Sequence, residues 1–269
     1  MTRSVSGPTG RERIELLRLY VQSGDQITET LTAPVQRRLR DQYGPVVRLR
    51  VPFGSDLYLL TDPEHVAQVF NAEQSVVRKS ERRIEDLAVM FGPGMVTAVG
   101  ERWRDRRNEV APTLGGELVR SVAPTANTIA SAQLDSWSQQ SDPVETTAMA
   151  SRYVFETVGT ALFGEAFAET DTELGNALAT FGEVFPREAS MVPTMPRRIP
   201  TAHNRRIRAA QRQLETAVDE LLETVSSSTG DADCVAGALL VADSLDHTSI
   251  REELRSLFVA GLVASKALS

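Results

Sequence analysis

Apolar positions recur at helical spacing over residues 11–40, where Ile14, Leu17, Leu31, Val35 and Leu39 stand among arginines and glutamates. Tyr43-Gly44-Pro45 breaks that pattern. Val46-Val47-Arg48-Leu49-Arg50-Val51, the turn Pro52-Phe53-Gly54-Ser55 and Leu57-Tyr58-Leu59-Leu60 then predict a β-hairpin, with β-branched and aromatic residues around a glycine turn. Thr61-Asp62-Pro63-Glu64 carries the marks of a helix start: a capping side chain, an early proline and a first-turn acid. From there the period is helical almost throughout. Helices are predicted at about 63–71, 82–90, 101–111, 117–137, 143–163, 172–185, 202–226, 232–243 and 248–268. Loops fall at Gly92-Pro93-Gly94, Ser138–Pro143, the proline-rich Pro186–Pro200 and the small, polar Ser226–Asp233, which is the best linker candidate. The fold class is therefore mainly α, with one small sheet near the N-terminus.

Composition narrows the function. The chain has 269 residues, 41% of them hydrophobic and 24% charged, which suits a globular protein with a substantial core. Its net charge of −7 argues against a general nucleic-acid binder. No apolar run reaches the roughly 20 residues of a membrane span, and the N-terminus lacks the apolar stretch of a signal peptide. Cys234 is the sole cysteine, so no internal disulfide forms and a cytoplasmic setting is expected.

The most specific chemistry lies in Gly92-Pro93-Gly94-Met95 through Arg107, a glycine-rich loop feeding a helix. Trp103 and Arg107 are four residues apart and share one helix face. An indole N–H and a guanidinium are donors without acceptors, so together they suit an anion, and arginine suits a carboxylate in particular. A bare Trp-x-x-x-Arg is more often a core tryptophan beside a solvated arginine. What favours the ligand reading is the order of the neighbouring segments.

Those segments together resemble the N-terminal half of a cytochrome P450, a haem-thiolate monooxygenase. The hairpin with Leu60-Thr61-Asp62-Pro63-Glu64-His65-Val66 resembles the family's first sheet and second helix, and Phe91 to Arg107 resembles its loop and C helix. Leu162-Phe163-Gly164, Pro196 to Arg206, and Glu252 to Gly261 resemble the end of the E helix, the entry to the G helix and the start of the I helix. The resemblance implies a P450 fold over 30–261, with 1–29 a helical extension, 262–269 a divergent end, and the whole a single incomplete domain. It implies haem as cofactor, with Trp103 and Arg107 on its propionates and Ala260 and Gly261 on the helix crossing its face. It also implies a hydrophobic organic substrate shaped by segments 78–100 and 182–205 (Met90, Met95, Val96 and Phe185 being apolar candidates) and a separate electron-transfer partner.

The departures from the family pattern carry equal weight. Val263 and Ala264 stand where the family has an acid and a threonine for proton delivery, and neither can donate a proton. The family's Glu-x-x-Arg helix and cysteine loop, source of the axial thiolate, have no counterpart in this sequence. Leu262 to Ser269 fits a frameshift or deletion near Gly261 followed by an early stop. The expectation is a truncated, inactive form with no catalytic residue assigned, whose last helix is left unburied on one side. Cys234 follows Asp231-Ala232-Asp233, where acids raise a thiol pKa, and is read as a structural thiol. His65, His203 and His247 lack metal-ligand spacing, so no metal site is assigned. Arg197, Arg198, Arg205, Arg206, Arg208 and Arg212 are read as the solvated face of a helix whose apolar stripe is Ile207, Leu214, Val218, Leu221 and Leu222. A second possibility is a non-enzymatic helical binding or scaffold protein derived from the fold.

Overall fold

A computed structural model describes residues 7, 33–49, 56–73, 76–139, 145–169, 172–189, 199–228, 233–242 and 244–266. The extension over 1–29, apart from residue 7, the hairpin turn, Arg197 and Arg198 lie outside them. The chain divides into two compact units, Met1–Arg78 with Pro186–Val192, and Lys79–Phe185 with Pro193–Ser269.

The first unit contains helix α1 (Ala33–Tyr43), strands β1 (Val46–Leu49) and β2 (Leu57–Leu60), and helix α2 (Pro63–Phe70). Gly44, at φ +95, ends α1 in a conformation other residues rarely adopt. The strands pair antiparallel with Val46 opposite Leu60 and Leu49 opposite Leu57. Val47 is fully buried, and Arg48 is ion-paired with Asp56 across the hairpin. The Asp62 side chain accepts the Glu64 N–H at 2.8 Å to open α2 ahead of Pro63, the start the sequence predicts.

The second unit is helical: α3 (Glu81–Phe91), α4 (Gly100–Val110), α5 (Gly116–Ser138), α6 (Thr146–Phe163), α7 (from Thr172), α8 (Ala202–Ser227), α9 (Val235–Ala242) and α10 (His247–Lys266). Short 3-10 turns follow α4 at Ala111–Leu114 and α6 at Gly164–Glu169. The predicted stripe of α8 is buried at every position, and Asn204, Ala210 and Val225 extend it. Thr201 caps that helix by accepting the Asn204 N–H at 3.1 Å. On its other side Arg205, Arg206, Arg208 and Arg212 are exposed, with Arg206 paired to Glu183 at 2.7 Å.

The core centres on phenylalanines. Phe258 of α10 lies 5.8 Å from the Phe163 ring and 5.7 Å from Phe167, edge-on to both, and 5.9 Å from Phe155. Gly159 makes room for this cluster: a Cβ there would stand 2.1 Å from Phe167. Helix α10 packs against α3, α6, α8 and α9. No residue from Ser249 to Leu262 is exposed, which corrects the expectation of a helix bare along one side. Four neighbouring helices supply cover that a strictly linear reading of the chain omits.

Candidate functional site

Helix α4 starts at Gly100, whose φ of +61 turns the chain into it. Its side chains divide into two groups. Arg102 and Arg106 turn toward α10 and pair with Glu252, at 3.3 and 3.1 Å. Arg106 is buried and also reaches Glu253 at 3.4 Å and the Ser249 carbonyl at 3.0 Å. Trp103 and Arg107 form the other group. The Arg107 guanidinium carbon stands 5.5 Å from the Trp103 ring centroid, so the i, i+4 pair meets as the spacing predicts. Trp103 is half-buried and Arg107 exposed. Among the described residues no protein acceptor takes up the donors of either.

Glu253 is the residue that sequence reasoning missed. It is a carboxylate with no exposed surface. It accepts the Met95 N–H at 2.9 Å and faces Arg106. Burial pushes its pKa up, while the Met95 N–H and Arg106 pull it back toward the usual range. One signal in the sequence pointed to it: Glu252-Glu253 runs directly into the apolar stretch around Leu254 and Phe258.

The α3–α4 loop lies on α10 through its glycines. Gly92 has φ +69, with the Arg255 side chain 3.5 Å from where a Cβ would be. At Gly94 a Cβ would come 2.7 Å from the Ser256 Cβ and 2.8 Å from the Glu252 carbonyl oxygen, so only glycine fits. Thr97 Oγ1 donates to the Gly92 carbonyl at 2.6 Å, and Lys79 Nζ to those of Val96 and Ala98. Met90, equally readable as a contact for an apolar ligand or as core, is fully buried in the core. Met95 and Val96 are half-buried on the loop, and the Phe185 side chain is outside the described residues.

Ala260 and Gly261 are half-buried on α10. A Cβ on Gly261 would stand 3.0 Å from Val158 Cγ1, so its bare backbone serves the approach of α6. Among the described residues no hydrogen bond, ion pair or ring contact joins these two to Trp103 or Arg107. The side chains of Val263 and Ala264 are outside the described residues.

The cytochrome P450 family model matches residues 8–265. The chain belongs to the cytochrome P450 family. It is 22% identical over 251 residues to Protein LUTEIN DEFICIENT 5, chloroplastic, of Arabidopsis thaliana, covering 84% of this chain and 42% of that protein. It is 24% identical over 214 residues to cytochrome P450 26B1 of Rattus norvegicus, covering 79% of this chain and 40% of the relative. The retinoic-acid-bound cyanobacterial CYP120A1 superposes with a TM-score of 0.69 at 17% identity, over 86% of this chain and 52% of that one. The chain thus spans about two fifths of the length of these curated relatives, and the structural neighbour shows a shared fold.

P450 membership implies haem, and the donor set of α4 fits that group's carboxylates. Among the described residues Trp103 and Arg107 offer side-chain N–H donors not taken by protein acceptors, on a helix whose buried arginine, Arg106, is already spent on α10. Cys234 does not suit the iron. It is buried in the core beside the start of α9, where its Sγ accepts the Gly237 N–H at 3.3 Å. Among the described residues no three histidine, cysteine or carboxylate side chains cluster to hold a metal ion. His65 is half-buried with its Nδ1 3.9 Å from Asp62, His203 is half-buried, and His247 is exposed. Among the described residues no helix is long and apolar enough to cross a membrane.

Proposed function

We propose that this chain is the part of a haem-dependent monooxygenase that grips the cofactor's edge and shapes one side of a hydrophobic substrate site. The observation that carries the reading is the Trp103–Arg107 pair, set side by side with its donors uncommitted. When bound, the haem would supply the iron at which oxygen is activated. The chain's own residues bind and orient it. Arg107 would hold a propionate by charge-assisted hydrogen bonds, and Trp103 would donate its indole N–H to the same group. The stacked guanidinium is restrained before the anion arrives, which lowers the ordering cost of binding.

Ala260 and Gly261 are assigned to the helix stretch facing the porphyrin, where the short side chain of Ala260 would leave room for a flat ligand; the open side of Gly261 is taken up by Val158 of α6. The α3–α4 loop, with Met95 and Val96, is assigned to the substrate side. The structural neighbour is described as bound to retinoic acid, which supports an apolar ligand class for this fold. Electrons would come from a separate redox partner. On its own the chain is proposed to be inactive, because Cys234 is tied into the core and Val263 and Ala264 offer no proton.

Haemin titration of the purified chain, followed by absorbance and tryptophan quenching, tests the clamp. Trp103→Phe and Arg107→Ala should each weaken binding by roughly 10- to 100-fold, the value of a lost hydrogen bond to a charged group. Tight binding unchanged by both substitutions would remove the role assigned to them. A thiolate-type Soret band after reduction under carbon monoxide would overturn the statement about Cys234.

A further inference from the structure

The anchors of the α3–α4 loop are of two kinds. Lys79, Thr97 and Arg102 donate to loop carbonyls: Val96 and Ala98, Gly92 and Gly94, and Pro93 at 3.1 Å. Glu253 works in the opposite sense, taking the Met95 N–H from beneath the loop. The same carboxylate faces Arg106, one turn from Trp103 and next to Arg107 on α4. A single buried side chain on α10 therefore touches both the loop that carries Met95 and Val96 and the helix that carries the clamp.

The surroundings speak against a role in stability alone. Arg255 Nε and Ser256 Oγ are buried without a hydrogen-bond partner, and Glu253 Oε1 meets Arg106 at 3.4 Å as an ion pair without a hydrogen bond. All three side chains belong to the stretch of α10 crossed by Gly92 to Met95. An interface built for stability is served as well or better by apolar side chains of similar volume, since desolvating a charge pair offsets most of its attraction. Here the charges persist and polar valences are left unfilled. What the pair does provide is direction: one carboxylate oxygen fixes one loop amide, and the other joins Glu252 and the Ser249 carbonyl in holding one arginine of α4.

We propose that Glu253 is a positioning residue. It sets the α3–α4 loop, and through Arg106 helix α4, in register on α10, and so determines where Met95, Val96 and the Trp103–Arg107 clamp stand relative to Ala260 and Gly261. The assignment of those residues to substrate and haem rests on the function proposed above; the mechanical coupling does not.

Hydrogen exchange on the full chain without haem tests the coupling by itself. Glu253→Ala should speed exchange of the Gly92–Ala98 amides by about tenfold or more, the loss of one structural hydrogen bond, while amides of α6 and α8 keep their wild-type rates. Glu253→Gln keeps an acceptor oxygen and should retain the protection of Met95. If the alanine variant does not fold, Glu253→Asp, which withdraws the carboxylate by one methylene, should give the same localised acceleration. Unchanged loop exchange in these variants, or uniform acceleration across the whole second unit, would overturn the proposal. Haemin titration of the same proteins separates the two readings. A released loop with weakened haemin binding supports both. A released loop in a chain whose haemin binding ignores Trp103 and Arg107 leaves the coupling standing and removes the clamp.

Discussion

Replacing Phe258 by alanine is expected to cost about 3–5 kcal/mol of folding stability, the range for a large aromatic removed from a packed core. Phe258 has no exposed surface, and its ring touches those of Phe155, Phe163 and Phe167 at once. Truncation takes one face from each of three other rings. Gly159, backed directly onto Phe167, limits how far α6 can close over the hole. Set against the 5–15 kcal/mol typical of native domains, the loss is large. A urea titration should show the midpoint falling with little change in slope. Phe258→Leu, which keeps most of the volume, should recover more than half of the difference. A Phe258→Ala midpoint within experimental error of wild type would show that the second unit does not depend on this cluster.

The second large effect is expected at Arg106, a buried guanidinium between Glu252 and Glu253. Arg106→Met keeps much of the side chain's volume and removes its charge. It should cost about 3–5 kcal/mol at neutral pH, because Glu253 is then a buried carboxylate without a countercharge. The penalty depends on pH, and its sign follows from Glu253. Burial already raises that carboxyl above its ordinary 4.5, with Glu252 adding to the rise and Arg106, Arg102 and the Met95 N–H opposing it. Without Arg106 the folded pKa climbs further. A group whose folded pKa lies above its unfolded value favours the native state most when protonated. Its contribution is fully present below the unfolded pKa and is lost as pH rises through the folded one. The deficit of Arg106→Met should therefore be smaller at pH near 5 than at pH near 8, and Glu253→Gln added to it should recover stability at the higher pH. Equal deficits at both pH values would show that Glu253 is not the group left unpaired.

What could be read from the sequence was what is local. The hairpin, the capped start of α2, the stripe of α8 and the meeting of Trp103 with Arg107 depend on spacings of two to four residues, and each stands in the structure. Membership in the P450 family was legible for the same reason, as short motifs in a fixed order. Arg106 and Glu253 were not legible. Their helices are rich in charge, and nothing in either helix says which of Arg102, Arg104, Arg106 and Arg107 turns inward until α10 lies beside α4. The role of Gly94 was hidden likewise. A glycine in a Gly-Pro-Gly turn reads as a turn residue, whereas here it is required because the backbone of Glu252 passes 2.8 Å from its absent Cβ. Met90 was open to both readings, since an apolar residue beside a loop does not reveal whether it faces a ligand or the core, and it lies in the core.

The Met95–Glu253 hydrogen bond joins residues 158 positions apart. Bringing such distant partners together costs loop-closure entropy before the contact returns anything, so contacts of this span are completed late in folding. On the ribosome, the α3–α4 loop emerges long before the α10 segment that holds it, and the chain must keep Gly92 to Ala98 out of wrong partnerships in the interval. A contact made after the folding barrier acts on the rate of leaving the native state. Weakening it should speed unfolding in stopped-flow denaturant jumps while leaving the refolding rate near that of the parent; slowed refolding would place this contact in the nucleus instead. The buried carboxylate of α10 is then also the closing latch of the chain's assembly, and its loss shortens the lifetime of the fold more than it delays its formation.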